Sequence, residues 1–310
     1  MDLALISFVL VTLIVGPQEP PPTAPVFRAG TELVTLSATV TDATGRNVVG
    51  LTKDDFTVEE NGVRQAIAFF GSGEDTPMSL VLAVDVSGSM EDKIDGVQDA
   101  LTHLLARLKR DDEVAMITFH GDVNVVARFD EERNKVARAI RGLRPSGGTA
   151  LYEAIGDALR LVATGRQPKR AVLLLTDGND TASRRRVGEI VAAVVRSEAI
   201  VYCLGIGHGG RGSFGHGGSG GADEIDAATL RLFSDRTGGA TYVLEQAHEA
   251  GRDRIDEAIA ILSRELREQY TLGYYPTARD SGSRQLVVRA RDSAYRVRSR
   301  SAIQAPADGR

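Results

Sequence analysis

Three short polar clusters in this 310-residue chain fall where apolar runs or loops end: Asp85-Val86-Ser87-Gly88-Ser89, Ser146-Gly147-Gly148-Thr149 and Thr176-Asp177-Gly178. In an extended turn alternate residues project to one side, so Asp85, Ser87 and Ser89 can face a common point. Gly88 is expected to let the backbone fold closely there. Two carboxylates and three hydroxyls meeting at one place make an all-oxygen pocket. Such a pocket suits a hard divalent cation, Mg²⁺ in the first instance with Mn²⁺ or Ca²⁺ as alternatives, which keeps waters and accepts few protein ligands. Without a cation, Asp85 and Asp177 would oppose each other's ionisation at a water-poor edge. Taken singly, each Asp or Ser could equally cap a helix or a turn. Taken together, in this order and each at the end of an apolar run, Asp85, Ser87, Ser89, Thr149 and Asp177 form a candidate metal site.

Such side chains need a scaffold that ends several strands at one edge. From about Met78 buried strands alternate with amphipathic helices. Ser79–Val84, Ala171–Leu175 and Ile200–Leu204 are continuous apolar runs, as expected of strands covered on both faces. Glu113–Phe119 is a further strand. Ile94, Val97, Leu101, Leu104, Leu105 and Leu108 make one helical stripe, and Ala150–Val162 and Val187–Val195 read as helices. This order predicts an α/β, doubly wound, mainly parallel sheet, in which ligands sit beyond the carboxyl ends of the strands.

Flanking it are two β-rich stretches. From Val34 to Thr41 apolar and polar residues alternate strictly, which predicts one buried and one wet face. Phe56–Glu60 and Val63–Phe70 flank Asn61-Gly62, a two-residue hairpin signal. Strands also close the chain at Gln269–Tyr275, Arg284–Ala290 and Tyr295–Arg300. Neither stretch can bury a sizeable core alone, so the two are expected to combine into one small all-β module. The expected organisation is an N-terminal signal or anchor (1–16), a proline-rich linker (17–27), a β segment (28–75), the α/β domain (76–250), a connecting helix (251–267) and a second β segment (268–304).

Asp85-x-Ser87-x-Ser89, Thr149 about sixty residues on, and Asp177 in Leu-Thr-Asp-Gly resemble the metal-ion-dependent adhesion site (MIDAS) of the von Willebrand factor type A domain. The resemblance covers roughly residues 76 to 250. It implies that Ser87 and Ser89 bind the metal directly, Thr149 directly or through water, and Asp85 and Asp177 mainly through water. It also implies that a partner protein's carboxylate completes the coordination. The chain as a whole resembles the acidobacterial-type von Willebrand A-related proteins of bacteria. Those place a segment like Leu51-Thr52-x-x-Asp55-Phe56 before the domain and one like Tyr270-x-x-Gly273-Tyr274-x-Pro276 after it. The chemistry agrees: two carboxylates and weakly donating hydroxyls leave a dication electrophilic, so it seeks an outside oxygen anion, most simply an Asp or Glu.

Composition narrows the alternatives. With 37 basic against 42 acidic residues the net charge is −5, which argues against nucleic acid as partner, since phosphate binding needs a basic surface. Cys203 is the single cysteine, so an intrachain disulfide and a multi-cysteine zinc site are excluded; it reads as a buried small hydrophobe. Leu3–Val15 is apolar and proline-free but, as a helix of about 20 Å, falls short of a ~30 Å hydrocarbon core. It suits a secretory signal, which predicts an exported protein, periplasmic, secreted or held at the envelope, with membrane association only through that segment.

A Mg²⁺-dependent hydrolase or phosphatase is the rival reading. The haloacid-dehalogenase-like phosphatases need a second Asp two residues after the first, where this chain has Ser87. Gly142–Thr149 has the glycine spacing of a phosphate-binding loop, yet Gly148 stands where its Lys should be. A structural envelope module with an unused metal site is the third reading. Gly207–Gly221, with nine glycines and with His208 and His216, is expected to be a solvated loop. Arg184-Arg185-Arg186 reads as a solvated basic face, with an acidic partner surface as the alternative.

Overall fold

The computed structural model describes residues 33–178, 180–207, 225–244, 251–277 and 282–304. The signal or anchor, the linker, His208 and His216 lie outside the described residues.

The chain begins with β1 (Val34–Thr41), β2 (Phe56–Glu60), β3 (Val63–Gln65) and β4 (Ile67–Gly71). Asn61 and Gly62 both take positive φ, at 49° and 77°, and turn β2 directly into β3, with Glu60 opposite Val63. The stretch expected as a single strand after this turn is two. β3 stays with β2, whereas β4 passes to a different sheet, so the chain turns a corner at Ala66.

The α/β layer follows: β5 (Met78–Asp85), α1 (Ile94–Arg107), β6 (Glu113–Phe119), β7 (Val123–Ala127), α2 (Arg133–Arg141), α3 (Leu151–Val162), β8 (Lys169–Thr176), α4 (Val187–Arg196), β9 (Ile200–Ile206), α5 (Ala227–Ser234), β10 (Thr241–Leu244) and α6 (Gly251–Glu268). Its sheet runs β10-β9-β8-β5-β6-β7, parallel except for the edge strand β7. Because successive side chains leave a strand on opposite faces, β5 feeds two cores. Leu80, Leu82 and Val84 pack under α1, α2 and α6, while Val81 and Ala83 pack under α3, α4 and α5. After β5 the chain builds β6 on one side and later β8 on the other. The carboxyl ends of β5 and β8 therefore flank the point where strand order reverses, the usual ligand crevice of such sheets.

α6 is more than a connector. Ile255, Ile259, Leu262 and Leu266 are buried in the same core as α1, and Ile255 and Arg252 pass close over Gly96. A Cβ on Gly96 would meet Ile255 Cδ1 at 3.1 Å, so glycine here admits the second helix.

The chain returns to β structure with β11 (Tyr270–Tyr274), β12 (Ser283–Ala290), β13 (Arg296–Ser299) and β14 (Ala302–Gln304). One four-stranded sheet runs β13-β1-β11-β4 and the other β14-β12-β2-β3. Each thus interleaves strands from both ends of the described chain. Leu36, Ala38, Val40, Phe56, Val58, Tyr270, Leu272, Tyr274, Leu286, Val288 and Ile303 form their common core. The expected wet face of β1 is not wet: Ser37 and Thr39 are buried, and Gln269 Nε2 donates to Thr39 Oγ1 at 3.0 Å and also to the Tyr202 hydroxyl of β9. That polar face meets the α/β layer, so its alternation marks a hydrogen-bonded junction.

Candidate metal centre

β5 ends on Asp85: the Val86 N–H still donates to the Phe119 carbonyl of β6 at 2.8 Å, but the Val86 carbonyl turns to the loop that carries Ser146. Asp85 is fully buried, yet both its oxygens are used: Oδ1 accepts from the Ser87 N–H at 2.8 Å, and Oδ2 from the Thr176 hydroxyl at 2.6 Å. Burial pushes its pKa up to about 6; the bonds from Thr176 and Ser87 pull the other way, and the charge of Asp177 adds to the rise. Burial is the first cause of the rise and the charge of Asp177 the least.

From Ser87 a chain of hydrogen bonds crosses to β8. The Ser87 and Ser89 hydroxyls share one at 3.1 Å, and Ser89 Oγ donates to Asp177 Oδ1 at 2.9 Å. The loop carrying Thr149 is tied on by backbone: Ser146 N–H donates to the Val86 carbonyl at 2.7 Å and Gly88 N–H to the Gly147 carbonyl at 3.0 Å. Thr149 is buried, and its Oγ1 lies 3.8 Å from where a Cβ on Gly178 would stand, beside Asp177. Asp85, Ser87, Ser89 and Asp177 are therefore joined side chain to side chain or through one amide, and Thr149 lies next to them.

A second glycine matters at this turn for its backbone. Gly88 has no positive φ, and a Cβ there would make only an ordinary 3.6 Å contact with the Gly147 carbonyl. Gly147 carries the left-handed turn, at φ 73°, which a side chain would strain.

Thr149 is held from behind by residues absent from the sequence reading. α3 opens on Ala150, which has no capping side chain, so its first N–H groups need partners from elsewhere. The 180–183 loop supplies them: Asp180 Oδ1 accepts from Leu151 N–H at 3.0 Å and Ser183 Oγ from Tyr152 N–H at 3.0 Å, while Thr181 Oγ1 accepts from Thr149 N–H, just ahead of the helix, at 2.8 Å. Glu153 Oε1 returns the exchange by accepting from the Arg184 and Arg185 N–H groups. Part of the basic run is thereby engaged: the Arg185 guanidinium lies over Gly156, 3.7 Å from Asp157.

Lys93, just before α1, is the second group that sequence reading passed over. Its Nζ donates to Asp177 Oδ2 at 2.5 Å and to the Ser89 carbonyl at 2.8 Å, with the side chain 1% exposed. A lysine at a helix N-terminus works against the helix dipole, and that misplacement was the available signal.

The donors are all oxygens, the kind hard divalent cations take. Among the described residues no three His, Cys, Asp or Glu side chains gather as a metal cage, so this pocket differs in kind from a carboxylate-rich site. Cys203 stays apart, fully buried in β9, and burial pushes its thiol up to about 12.

Residues 80–179 match the family model of the von Willebrand factor type A domain. This chain carries a von Willebrand factor type A domain. An uncharacterized protein of Synechocystis sp. is 31% identical over 136 residues, which span 42% of this chain and 32% of that protein. Inter-alpha-trypsin inhibitor heavy chain H3 of Bos taurus is 28% identical over 148 residues, 43% of this chain and 17% of that protein. The chain thus spans about a third or less of the length of these curated relatives. Among solved structures, a von Willebrand factor type A protein from Catenulispora acidiphila superposes with a TM-score of 0.52 at 15% identity, covering 81% of this chain and 73% of that one. Proximal thread matrix protein 1 of the mussel byssus, in a structure with a zinc-occupied MIDAS motif, gives 0.52 at 14% identity, covering 68% and 50%. These two structures share the fold of the domain.

Proposed function

We propose that this protein is an exported, non-enzymatic binding module that uses a divalent cation to hold a carboxylate of a partner protein. Ser87, Ser89 and Thr149 supply hydroxyl oxygens to the ion, and Asp85 and Asp177 supply the charge, mainly through water. Mg²⁺ is the first expectation, with Mn²⁺ or Ca²⁺ as alternatives, and the zinc-occupied motif of the mussel protein supports a divalent ion at such a site. The observation that carries the reading is the continuous run of hydrogen bonds from Asp85 through Ser87 and Ser89 to Asp177, at the crevice where strand order reverses. With hydroxyls as weak direct donors and the two carboxylates acting mainly through water, a dication stays electrophilic and open to one more donor, a state that favours gripping an external anion over activating water for cleavage. On this reading the binding domain is residues 76–250, and the module built from 28–75 and 268–304 presents it. Any attachment to the envelope is assigned to residues 3–15; no helix among the described residues is long and apolar enough to cross a membrane.

Calorimetric titration with MgCl₂ tests the site: heat of binding is expected from the wild type and none from Asp85→Ala. Equal responses from the two proteins would remove the metal assignment. Turnover of phosphoesters that Asp177→Ala abolishes would replace the binding reading with an enzymatic one.

A further inference from the structure

Of the charged groups at the pocket, Lys93 has no place in the reading above. Its ammonium is nearly dry, in direct contact with Asp177 Oδ2 and with the Ser89 carbonyl. Withdrawing an ammonium from water costs several kcal/mol, and a buried ion pair often does no better for stability than an apolar replacement. The dipole of α1 makes the position worse. Asp92, a second carboxylate 3.9 Å from Nζ, is 64% exposed, so water screens its pull. A contribution to stability is therefore a poor account of Lys93, and its position suggests a part in setting the charge of the pocket.

Asp85 and Asp177 alone would match a dication in formal charge, so the pull on a third anion would come only from the weakness of the hydroxyl donors and not from net charge. With Lys93 beside them these three buried groups sum to a single negative charge, so a dication among them leaves an excess of one positive charge. A monovalent carboxylate restores the balance. Because the groups are buried, this difference is weakly screened and is felt in full by whatever binds. Ser89 is held at both ends by the same arrangement, its hydroxyl on Asp177 Oδ1 and its carbonyl on Lys93. Lys93 thereby also keeps Asp177 turned back toward α1.

We propose that Lys93 is a positioning residue which, by its charge and its contact with Asp177, makes this pocket take a dication and a carboxylate together in preference to a dication alone. The inference rests on the metal-site reading and adds an interdependence between the two ligands that the five oxygen-bearing side chains do not supply.

The test is Mg²⁺ calorimetry on wild type, Lys93→Met, Lys93→Gln and Lys93→Arg, each with sodium acetate as carboxylate probe and with sodium chloride at matched ionic strength. In the wild type, acetate is expected to tighten Mg²⁺ binding several-fold. Lys93→Met is expected to bind Mg²⁺ in chloride about tenfold more tightly, since a repelling buried charge is gone, and to lose most of the acetate effect. Lys93→Arg, which keeps the charge, is expected to keep the acetate effect. Lys93→Gln carries the same expectation as Lys93→Met with a polar side chain, and melting curves of the metal-free variants identify any that fail to fold. If folded Met and Gln variants match the wild type in both salts, or bind Mg²⁺ more weakly, the role of Lys93 is overturned while the metal site stands. If the wild type binds no Mg²⁺ in either salt, the site reading falls and this inference with it.

Discussion

Asp85 shows what a single side chain has to withstand at the end of a buried strand. It is fully buried, and the Thr176 hydroxyl and Ser87 amide are what make its ionised form tolerable there. Thr176→Val keeps the shape and deletes the 2.6 Å donor. The expected result is a loss of about 1.5–3 kcal/mol, the range for a hydrogen bond to a charged group, read from urea unfolding of the metal-free protein. An unchanged midpoint would mean that the hydroxyl does not support Asp85. At this scale the sequence was informative where chemistry repeats locally. Alternation within Asp85-x-Ser87-x-Ser89 and the strand-end position of Asp177 are visible in one dimension. For Lys93 the only local sign is its unfavourable place at a helix start; its pairing is not visible, because the partner is 84 residues away and only the fold brings them together.

Elements were legible in proportion to how much apolar surface each buries. β5, β8 and β9 read clearly because every residue is buried or nearly so, and α1 because its stripe is continuous. α2 buries only Val136 and Ile140, and the edge strand β7 only Ala127, so neither left a pattern to read. β14 is three residues long and takes its place by pairing with β12. The split of β3 from β4 is likewise set by partners, since the two belong to different sheets. The start of α3 is the case with consequences for the site, because its caps come from a loop about thirty residues on. Asp180→Ala removes the acceptor for Leu151 N–H and is expected to cost about 1 kcal/mol, as loss of an N-terminal cap does. Thermal unfolding measures this, and a melting temperature equal to wild type would show that the contact from the 180–183 loop does not secure α3.

At the scale of the molecule, what could not be read was how the β module and the α/β layer meet, because the joining groups are polar residues scattered along the chain. Gln269 bridges Thr39 and Tyr202, and Glu265 accepts from the Tyr202 and Tyr242 hydroxyls at 2.7 and 2.8 Å and pairs with Arg298. Lys169, first in β8 and fully buried, donates to the carbonyls of Gly73, Leu266 and Gln269 at 3.3, 2.9 and 3.1 Å, gathering the entry to β5 and the end of α6 around one ammonium. Burial, with Arg267 and Lys109 adding to it and Asp112 opposing, pushes its pKa down to about 7. An unfolded chain keeps the proton to about pH 10.4, the ordinary lysine value. Between these limits the unfolded state holds more protons than the folded one, so raising the pH through this window stabilises the fold. The contribution from Lys169 has a slope of at most about 1.4 kcal/mol per pH unit, and it is lost as the pH falls toward 7. Cys203, with its thiol raised by burial, works in the opposite sense once the unfolded thiol ionises, so the difference between two proteins is the informative quantity. Denaturant unfolding of wild type and Lys169→Met from pH 7 to 9 is expected to give a stability difference that moves in favour of the wild type with each step in pH. A difference that stays flat across that range would mean that Lys169 crosses it without changing charge, and that the junction is held by a permanent ammonium among its three carbonyls.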